Sequence, residues 1–232
     1  SCHELVINEQ TSVLVDCGLF QGEDSKADLS IEFDVTHVTA LIVTHCHIDH
    51  VGRIPYLLAA GFKGPIFTSI ASASLLPLVI EDALKVGVTR DPKIIAACLS
   101  LLNKRIVAVD YKTWFELPSK APGKAKARFQ RAGHILGSAY VEIDITNNDN
   151  NKHRVVFSGD LGAPYTPLLP SPKPPYKADT LVIESTYGDK NHQGRKERTK
   201  TLKNIIERAV ADNGVVLVPA FSIGRTQELL YE

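Results

Sequence analysis

The chain contains short hydrophobic runs with strand-like character and longer stretches in which hydrophobic residues recur every three or four positions. Strands are predicted where β-branched or alternating runs end at turn residues, at 5–7, 12–15, 38–43, 65–69, 114–117, 125–131, 140–145, 154–157, 179–183 and 215–218. Helices are predicted from the second pattern at 50–60, 71–85, 92–103, 199–211 and 224–231. Because the two kinds of element come in runs and not in strict alternation, the pattern predicts an α/β fold of layered sheets with outer helices.

The densest group of metal-binding side chains directly follows the predicted strand 38–43. Residues 44–50 contain three histidines and one aspartate, namely His45, His47, Asp49 and His50. If the strand geometry continues, the first two histidines point to one face, whereas Asp49 and His50 open the following helix. Imidazole nitrogens and carboxylate oxygens bind divalent metals such as Zn²⁺, and four of them exceed what one open catalytic site needs. The spacing therefore predicts a metal site.

Three other positions are candidates for the same site. His134 and Asp160 each lie in a glycine-rich turn at the end of a predicted strand, where the backbone can approach a neighbouring segment closely. Asp16 ends the predicted strand 12–15, immediately before a cysteine and a glycine. A lone histidine between glycines is usually a loop residue, but together with the first motif these positions indicate ligands of one centre.

The order of these motifs resembles that of a known family. Asp16, then residues 45–50, then His134 and Asp160 resemble the first four motifs of the metallo-β-lactamase superfamily. Residues 183–189 and 219–228 resemble the β-CASP branch of that superfamily, whose members act on nucleic acids. The likeness is strongest to its RNA-processing members, similar to the nuclease subunit of the cleavage and polyadenylation factor and its prokaryotic relatives.

This resemblance implies a metallo-β-lactamase αββα sandwich interrupted by an inserted β-CASP domain. The expected domains are residues 1–185, the lactamase-like domain without its first strand and its C-terminal return, and residues 186–232, the start of the β-CASP domain. The family places two further histidines after the insertion, whereas the only histidine after Asp160 is His192. The expectation is therefore a chain truncated at both ends, and whether it is active by itself is left open.

The resemblance also implies roles for the candidate residues. His45, His47 and His134 would hold one Zn²⁺ ion, Asp49 and His50 a second, and Asp160 would bridge the two, although other divalent metals remain open. The implied reaction is hydrolysis of RNA phosphodiester bonds by a hydroxide that the two metals activate. Beside Asp49, the catalytic candidates are Asp16, expected to hydrogen-bond a ligating histidine or the hydroxide, and Glu184, which matches the first β-CASP motif.

RNA must be bound by a local patch, because 26 basic and 26 acidic residues leave a net charge of zero. Single-stranded RNA is the favoured partner. The preferred patch lies close to Glu184 in sequence and consists of Lys190, Arg195, Lys196 and Arg198. A second basic run contains Lys120, Lys124, Lys126, Arg128 and Arg131. Ordinary solvated charges are the alternative interpretation of both groups.

The four cysteines have no C-x-x-C spacing, which predicts a reducing, cytoplasmic setting. Cys17 and Cys46 are expected to be packing residues and not ligands. No apolar run is long enough to span a membrane, so no membrane association is expected, and a homodimer is left open. Three alternatives to a ribonuclease remain: a thioesterase or lactonase on the same fold, an inactive RNA-processing subunit, and a flavin-linked di-iron protein.

Overall fold

The computed structural model describes residues 1–20, 22, 28–120, 124–146, 151–191 and 194–232. They form two compact units, Ser1–Glu184 and Ser185–Glu232. The candidate metal ligands and Glu184 all belong to the first unit. His192 lies outside the described residues, and of Arg195 and Lys196 only the backbone is described.

The first sheet of the first unit has five strands in sequential order. These are β1 (His3–Asn8), β2 (Thr11–Val15), β3 (Val38–Ile42), β4 (Ile66–Ser69) and β5 (Ile106–Val109). β1 pairs antiparallel with β2, and the remaining pairs are parallel. Parallel neighbours bring their carboxyl ends to one edge, so the segments that follow β2 and β3 begin side by side.

The second sheet also has five strands, in the order β10-β9-β8-β7-β6. They are β6 (Trp114–Glu116), β7 (Lys124–Arg131), β8 (Ala139–Thr146), β9 (Lys152–Phe157) and β10 (Thr180–Val182). The pairing is antiparallel from β6 to β9, whereas β10 is parallel to β9. Side chains of β7 alternate between buried and partly exposed, as expected for a sheet with one face on the core.

Four helices, α1 (Ile48–Val51), α2 (Ile54–Ala59), α3 (Ile70–Gly87) and α4 (Pro92–Arg105), cover the first sheet. One hydrophobic cluster joins these helices to that sheet, and a second fills the space between the two sheets. The predicted α/β sandwich of two sheets with outer helices is confirmed. None of the described helices is long and apolar enough to cross a bilayer.

The structure corrects three of the predicted elements. The expected helix 50–60 is two short helices, because Pro55 lies at the start of α2 and its ring cannot continue a preceding helical turn. β5 was not predicted because it begins at Ile106, the residue that caps α4, without an intervening turn. The predicted buried strand 215–218 is wrong, since Val215 is 82% and Leu217 87% exposed.

The second unit contains α5 (Arg195–Ala211) and α6 (Arg225–Tyr231). Its described residues contain no strand, so the hydrophobic run 215–218 has no edge to pair with in this part of the chain. The run is apolar enough to resemble a buried strand, but burial depends on a neighbour that sequence alone does not reveal.

Candidate metal centre

Four segments of backbone converge at one edge of the first unit. Asp16 follows β2, residues 45–50 follow β3, His134 lies between β7 and β8, and Asp160 follows β9. One group of potential metal ligands consists of His45, His47, His134 and Asp160, and another of Asp49, His50 and Asp160. Within each group the ligand atoms lie within 4.8 Å of one another. Asp160 belongs to both groups, so one carboxylate stands between two clusters of donors.

The side chains of the first cluster lie close together, and two of its histidines are within hydrogen-bonding distance of each other. Nε2 of His134 lies 3.1 Å from Nδ1 of His47. Oδ2 of Asp160 lies 3.5 Å from Nε2 of His134 and 3.7 Å from Nε2 of His45. The imidazole rings of His45 and His134 are perpendicular, with centroids 5.1 Å apart. These nitrogens and the carboxylate oxygen surround a common point.

The second cluster is built around His50. Its Nε2 lies 3.1 Å from Oδ1 of Asp160 and 3.6 Å from Oδ2 of Asp49. Although burial raises it, the pKa of Asp160 is held below its usual value by the hydrogen bond from His50 and by His134 and His47. The carboxylate shared by the two clusters is therefore ionised at neutral pH and available to a cation.

The strongest indication that the cluster could hold a cation comes from His45. Its side chain is fully buried, and Nε2 has no hydrogen-bond partner among the described residues. Burial, together with His50, His47 and His134, holds the pKa of His45 well below its usual value, so the ring is neutral. A buried polar atom without a partner costs about 1–3 kcal/mol. A cation at this point would remove that cost.

The hydrogen bonds of Thr44 assign the tautomer of His45. The Thr44 hydroxyl donates to Oδ2 of Asp16 at 2.7 Å, so at the 3.1 Å contact with Nδ1 of His45 it can only accept. The proton of the ring is therefore on Nδ1, and Nε2 carries a lone pair directed into the cluster. A neutral imidazole with that tautomer is the form that binds a metal.

Asp16 holds the opposite side of the cluster. It is 1% exposed, and its two oxygens accept from the Thr44 backbone N–H at 2.8 Å and from Nδ1 of His50 at 2.7 Å. Of the two roles expected for Asp16, a hydrogen bond to a candidate ligand is the one observed. Burial lowers the pKa of His50, but hydrogen bonds to Asp16 and Asp160 outweigh this and raise it to about 10.

Two glycines allow the segments that carry the candidate ligands to lie in direct backbone contact. A Cβ atom on Gly18 would lie 1.6 Å from the carbonyl oxygen of Asp49, and one on Gly162 would lie 1.8 Å from that of Gly133. Neither contact can be relieved by rotating a side chain, since each is with backbone. Gly162 thus brings the Asp160 segment against the segment that carries His134.

Glu184 lies beside the Asp160 segment. One oxygen accepts from the N–H of Leu161 at 2.8 Å, and the N–H of Glu184 donates to the Ser158 hydroxyl at 3.0 Å. These bonds tie β10 to the residues on either side of Asp160. The contacts are those of a residue that fixes the loop, and a catalytic role for Glu184 stays a prediction.

The basic groups differ in what the structure says of them. Lys190 and Arg198 are exposed in the second unit. In the other group, Arg128 makes an ion pair with Glu142, and both Arg128 and Lys126 stack on the Trp114 ring. These two charges therefore already have partners on the second sheet, and a phosphate-binding role for the run stays a prediction.

Sequence reasoning assigned no role to the hydroxyls that orient the candidate ligands. Thr44 connects Asp16 to His45, and the Ser138 hydroxyl accepts from the backbone N–H of His134 at 2.9 Å. The available signal was their position beside a candidate ligand in a turn, where short polar side chains commonly bond to the backbone. Cys17 and Cys46 are buried in the core, as predicted.

The chain is similar to several known proteins. Residues 5–90 match the family model described as the metallo-beta-lactamase superfamily. Ribonuclease TTHA0252 of Thermus thermophilus is 36% identical over 94% of this chain and 48% of its own length. Transcription termination factor FttA of Methanosarcina mazei is 30% identical over 97% of this chain and 36% of its own. Cleavage and polyadenylation specificity factor subunit 3 of Dictyostelium discoideum is 32% identical over 94% of this chain and 28% of its own length.

The chain thus spans about half, or less, of the length of these curated relatives. The match to the family model lies over β1 to α3, the part that supplies Asp16 and residues 45–50. The relatives extend the similarity to 94–97% of the chain. Residues 5–90 thus match the metallo-β-lactamase superfamily, and almost the entire chain is similar to proteins named as a ribonuclease, a cleavage and polyadenylation specificity factor subunit and an endoribonuclease.

Proposed function

We propose that the protein is a metal-dependent ribonuclease that hydrolyses RNA phosphodiester bonds. The observation that carries the proposal is the buried Nε2 of His45, which has no hydrogen-bond partner among the described residues and faces donors from three other side chains. A structural cluster of this kind would normally satisfy its buried polar atoms internally. The similarity to named ribonucleases supports RNA as the substrate.

The donors fit two Zn²⁺ ions, since imidazole and carboxylate are common zinc ligands, and other divalent metals accept the same set. His45, His47 and His134 would hold one ion, Asp49 and His50 the other, and Asp160 would contact both. Bound there, the cations would supply an acidified water and neutralise charge that develops on a scissile phosphate. Every other contribution comes from the chain itself.

Those contributions concern proton positions and orientation. Asp16 and Thr44 keep the lone pair of His45 directed inward, and Asp16 fixes the ring of His50 through Nδ1. Glu184 holds the segment around Asp160 through the N–H of Leu161. By this proposal Asp16, Asp49 and Glu184 support the reaction, and the ionised Asp160 is the group without which neither cluster is complete.

The substrate side of the proposal is single-stranded RNA bound through Lys190, Arg195, Lys196 and Arg198. Its support is their position in sequence directly after the motif that contains Glu184, and the exposure of Lys190 and Arg198. A cytoplasmic location, supported by the cysteine pattern, and no membrane association belong to the same proposal, with a homodimer left open.

The test uses the full-length protein with bound divalent metal. It is incubated with labelled RNA, with single-stranded DNA of the same sequence and with a thioester. We expect cleavage of RNA, and a loss of more than about 100-fold in Asp160→Asn, because replacing even a residue behind a ligand costs about 10–100-fold. Asp82→Asn, an exposed carboxylate on α3, is the matched control.

Hydrolysis of the thioester alone would refute the ribonuclease proposal and favour a small-molecule hydrolase. RNA cleavage that persists in Asp160→Asn would refute the proposed site.

A further inference from the structure

The His134 loop, residues 132–138, joins β7 to β8 and contains two backbone positions of unusual freedom. Gly133 and Gly137 have φ angles of 71° and 86°, on either side of His134. Glycine adopts such angles at little cost but is also the residue whose backbone is least restrained. A histidine held between two such positions is placed accurately only if other contacts fix the loop.

Those contacts come from the first turn of α3. The hydroxyl of Ser69 donates to the carbonyl oxygen of Gly137, and the hydroxyl of Ser72 donates to the same oxygen, at 2.6 and 3.0 Å. Both serines are buried, at 1% and 0% exposure. A Cβ atom on Gly137 would lie 2.5 Å from the Ser72 hydroxyl oxygen, so the loop and the helix are in direct contact.

Ser72 also contacts the segment that carries two other candidate ligands. Its backbone carbonyl accepts a hydrogen bond from the thiol of Cys46 at 3.4 Å. Cys46 lies between His45 and His47 in sequence. One residue of α3 thus bonds to both segments whose imidazoles must meet.

The position of Gly137 is transmitted to His134 by Ser138. The hydroxyl of Ser138 accepts from the backbone N–H groups of His134 and Ile135, at 2.9 and 3.2 Å. The carbonyl of Ser138 accepts from the Tyr111 hydroxyl at 2.9 Å. A shift of the Gly137 carbonyl therefore displaces the acceptor that holds the backbone of His134.

We propose that Ser69 and Ser72 are positioning residues for His134, which hold the His134 loop so that this imidazole completes the cluster with His45 and His47. The inference rests on the proposed function, since it takes these three histidines to bind one cation. It adds that the placement depends on two hydroxyls at the start of α3, both of which donate to Gly137 and not to a candidate ligand.

The serines differ in what else they do, and this guides the choice of variant. The Ser69 hydroxyl also accepts from the Ser72 N–H at 3.2 Å and so caps α3. Ser69→Ala therefore removes a helix cap as well as the contact with the loop. Ser72→Ala leaves this cap in place and removes the bond to Gly137, together with the side-chain hydrogen bond to Cys46. Ser74→Ala is the matched control, because the Ser74 hydroxyl bonds within α3, to the carbonyl of Ile70.

The experiment measures the affinity of each of two Zn²⁺ ions for the full-length protein by competition with a chromogenic chelator. His134→Ala identifies which binding step depends on that histidine. We expect Ser72→Ala to weaken this step about 10-fold and Ser69→Ala with Ser72→Ala about 100-fold, the range found for groups that orient ligands. The other step should change less than about 3-fold, and Ser74→Ala should change neither.

Substitution by Co²⁺ adds a spectroscopic measurement. The visible absorption of the ion at the His134-dependent site should shift in Ser72→Ala and stay unchanged in Ser74→Ala. If the double variant does not fold, Ser72→Ala alone decides.

Equal weakening of both steps, or no difference between Ser72→Ala and Ser74→Ala, would overturn the inference while the parent protein still binds metal. A parent that binds no divalent cation would instead overturn the proposed function, and the inference with it.

Discussion

Asp16→Asn should change where the protons of the site lie without changing the shape of the site. Asp16 has a φ angle of 61°, in the left-handed region, which asparagine tolerates better than most residues. Its Oδ1 accepts from the Thr44 N–H, so an asparagine would keep its oxygen there and place its NH₂ group where Oδ2 now lies. The substitution therefore changes the site without a backbone clash or a cavity.

The consequence follows from donors and acceptors. Oδ2 accepts from the Thr44 hydroxyl and from Nδ1 of His50, both at 2.7 Å. An NH₂ group at that position donates to both instead, so the Thr44 hydroxyl turns to donate to Nδ1 of His45. The neutral His45 ring then carries its proton on Nε2, the nitrogen that faces the candidate ligands. His50, whose raised pKa already places protons on both nitrogens in the metal-free protein, loses the carboxylate that would keep its remaining proton on Nδ1 when Nε2 binds a metal.

The two effects have different magnitudes. The hydrogen bond between His50 and a charged carboxylate is worth about 1.5–3 kcal/mol, so the free energy of unfolding of the metal-free protein should fall by about that amount. Metal affinity should fall by at least about 10–100-fold, since partners that fix ligand tautomers have effects of this size. The loss of binding should thus exceed what the loss of stability explains.

The assay combines denaturant unfolding of the metal-free full-length protein with chelator competition for Zn²⁺. Asp82→Asn is the control, since it changes an exposed carboxylate on α3 in the same way. An Asp16→Asn protein that unfolds about 2 kcal/mol more easily but binds Zn²⁺ as tightly as the parent would refute the assignment of the tautomers.

Three further outcomes are expected. The pKa of His50 in the folded, metal-free protein is about 10, above its usual 6.5, so its stabilisation is complete below about pH 6.5 and lost as the pH rises through 10; a free energy of unfolding that does not fall over this range would contradict it. Gly162→Ala places a Cβ 1.8 Å from the Gly133 carbonyl and should cost more than about 2 kcal/mol, whereas Gly87→Ala, with nothing within 4 Å, should be neutral or stabilising by calorimetry. Arg198→Ala should lower the salt dependence of RNA binding, measured by filter binding, by about one phosphate contact, and an unchanged slope would remove this residue from the RNA-binding patch.

The candidate ligands could be predicted because their signal is local. Residues 45–50 combine strand geometry with four donors in six positions, and a chain that turns from strand to helix brings them to one point. His134 and Asp160 stand in glycine turns at strand ends, where approach to another segment is built into the backbone. The layered arrangement of sheets with outer helices follows from the grouping of helices and strands.

What sequence could not provide depends on partners distant in the chain. The Ser69 and Ser72 hydroxyls meet Gly137 across 68 and 65 positions, and nothing in the local pattern distinguishes them from ordinary serines at the start of a helix. The strand prediction for 215–218 is wrong for a related reason. The run has the pattern of a strand, but the described second unit offers no partner strand. Contacts of this kind exist only once the fold is formed.

The measurement that tests the central claim most directly is the metal content of the full-length protein and of its Asp160→Ala variant after dialysis against a weak chelator. Because Asp160 belongs to both donor clusters, we expect two equivalents of divalent metal in the parent and a loss of both in the variant. The control Asp82→Ala should keep both. A parent without bound metal, or an Asp160→Ala protein that retains two equivalents, would contradict the claim that these four segments meet to hold cations.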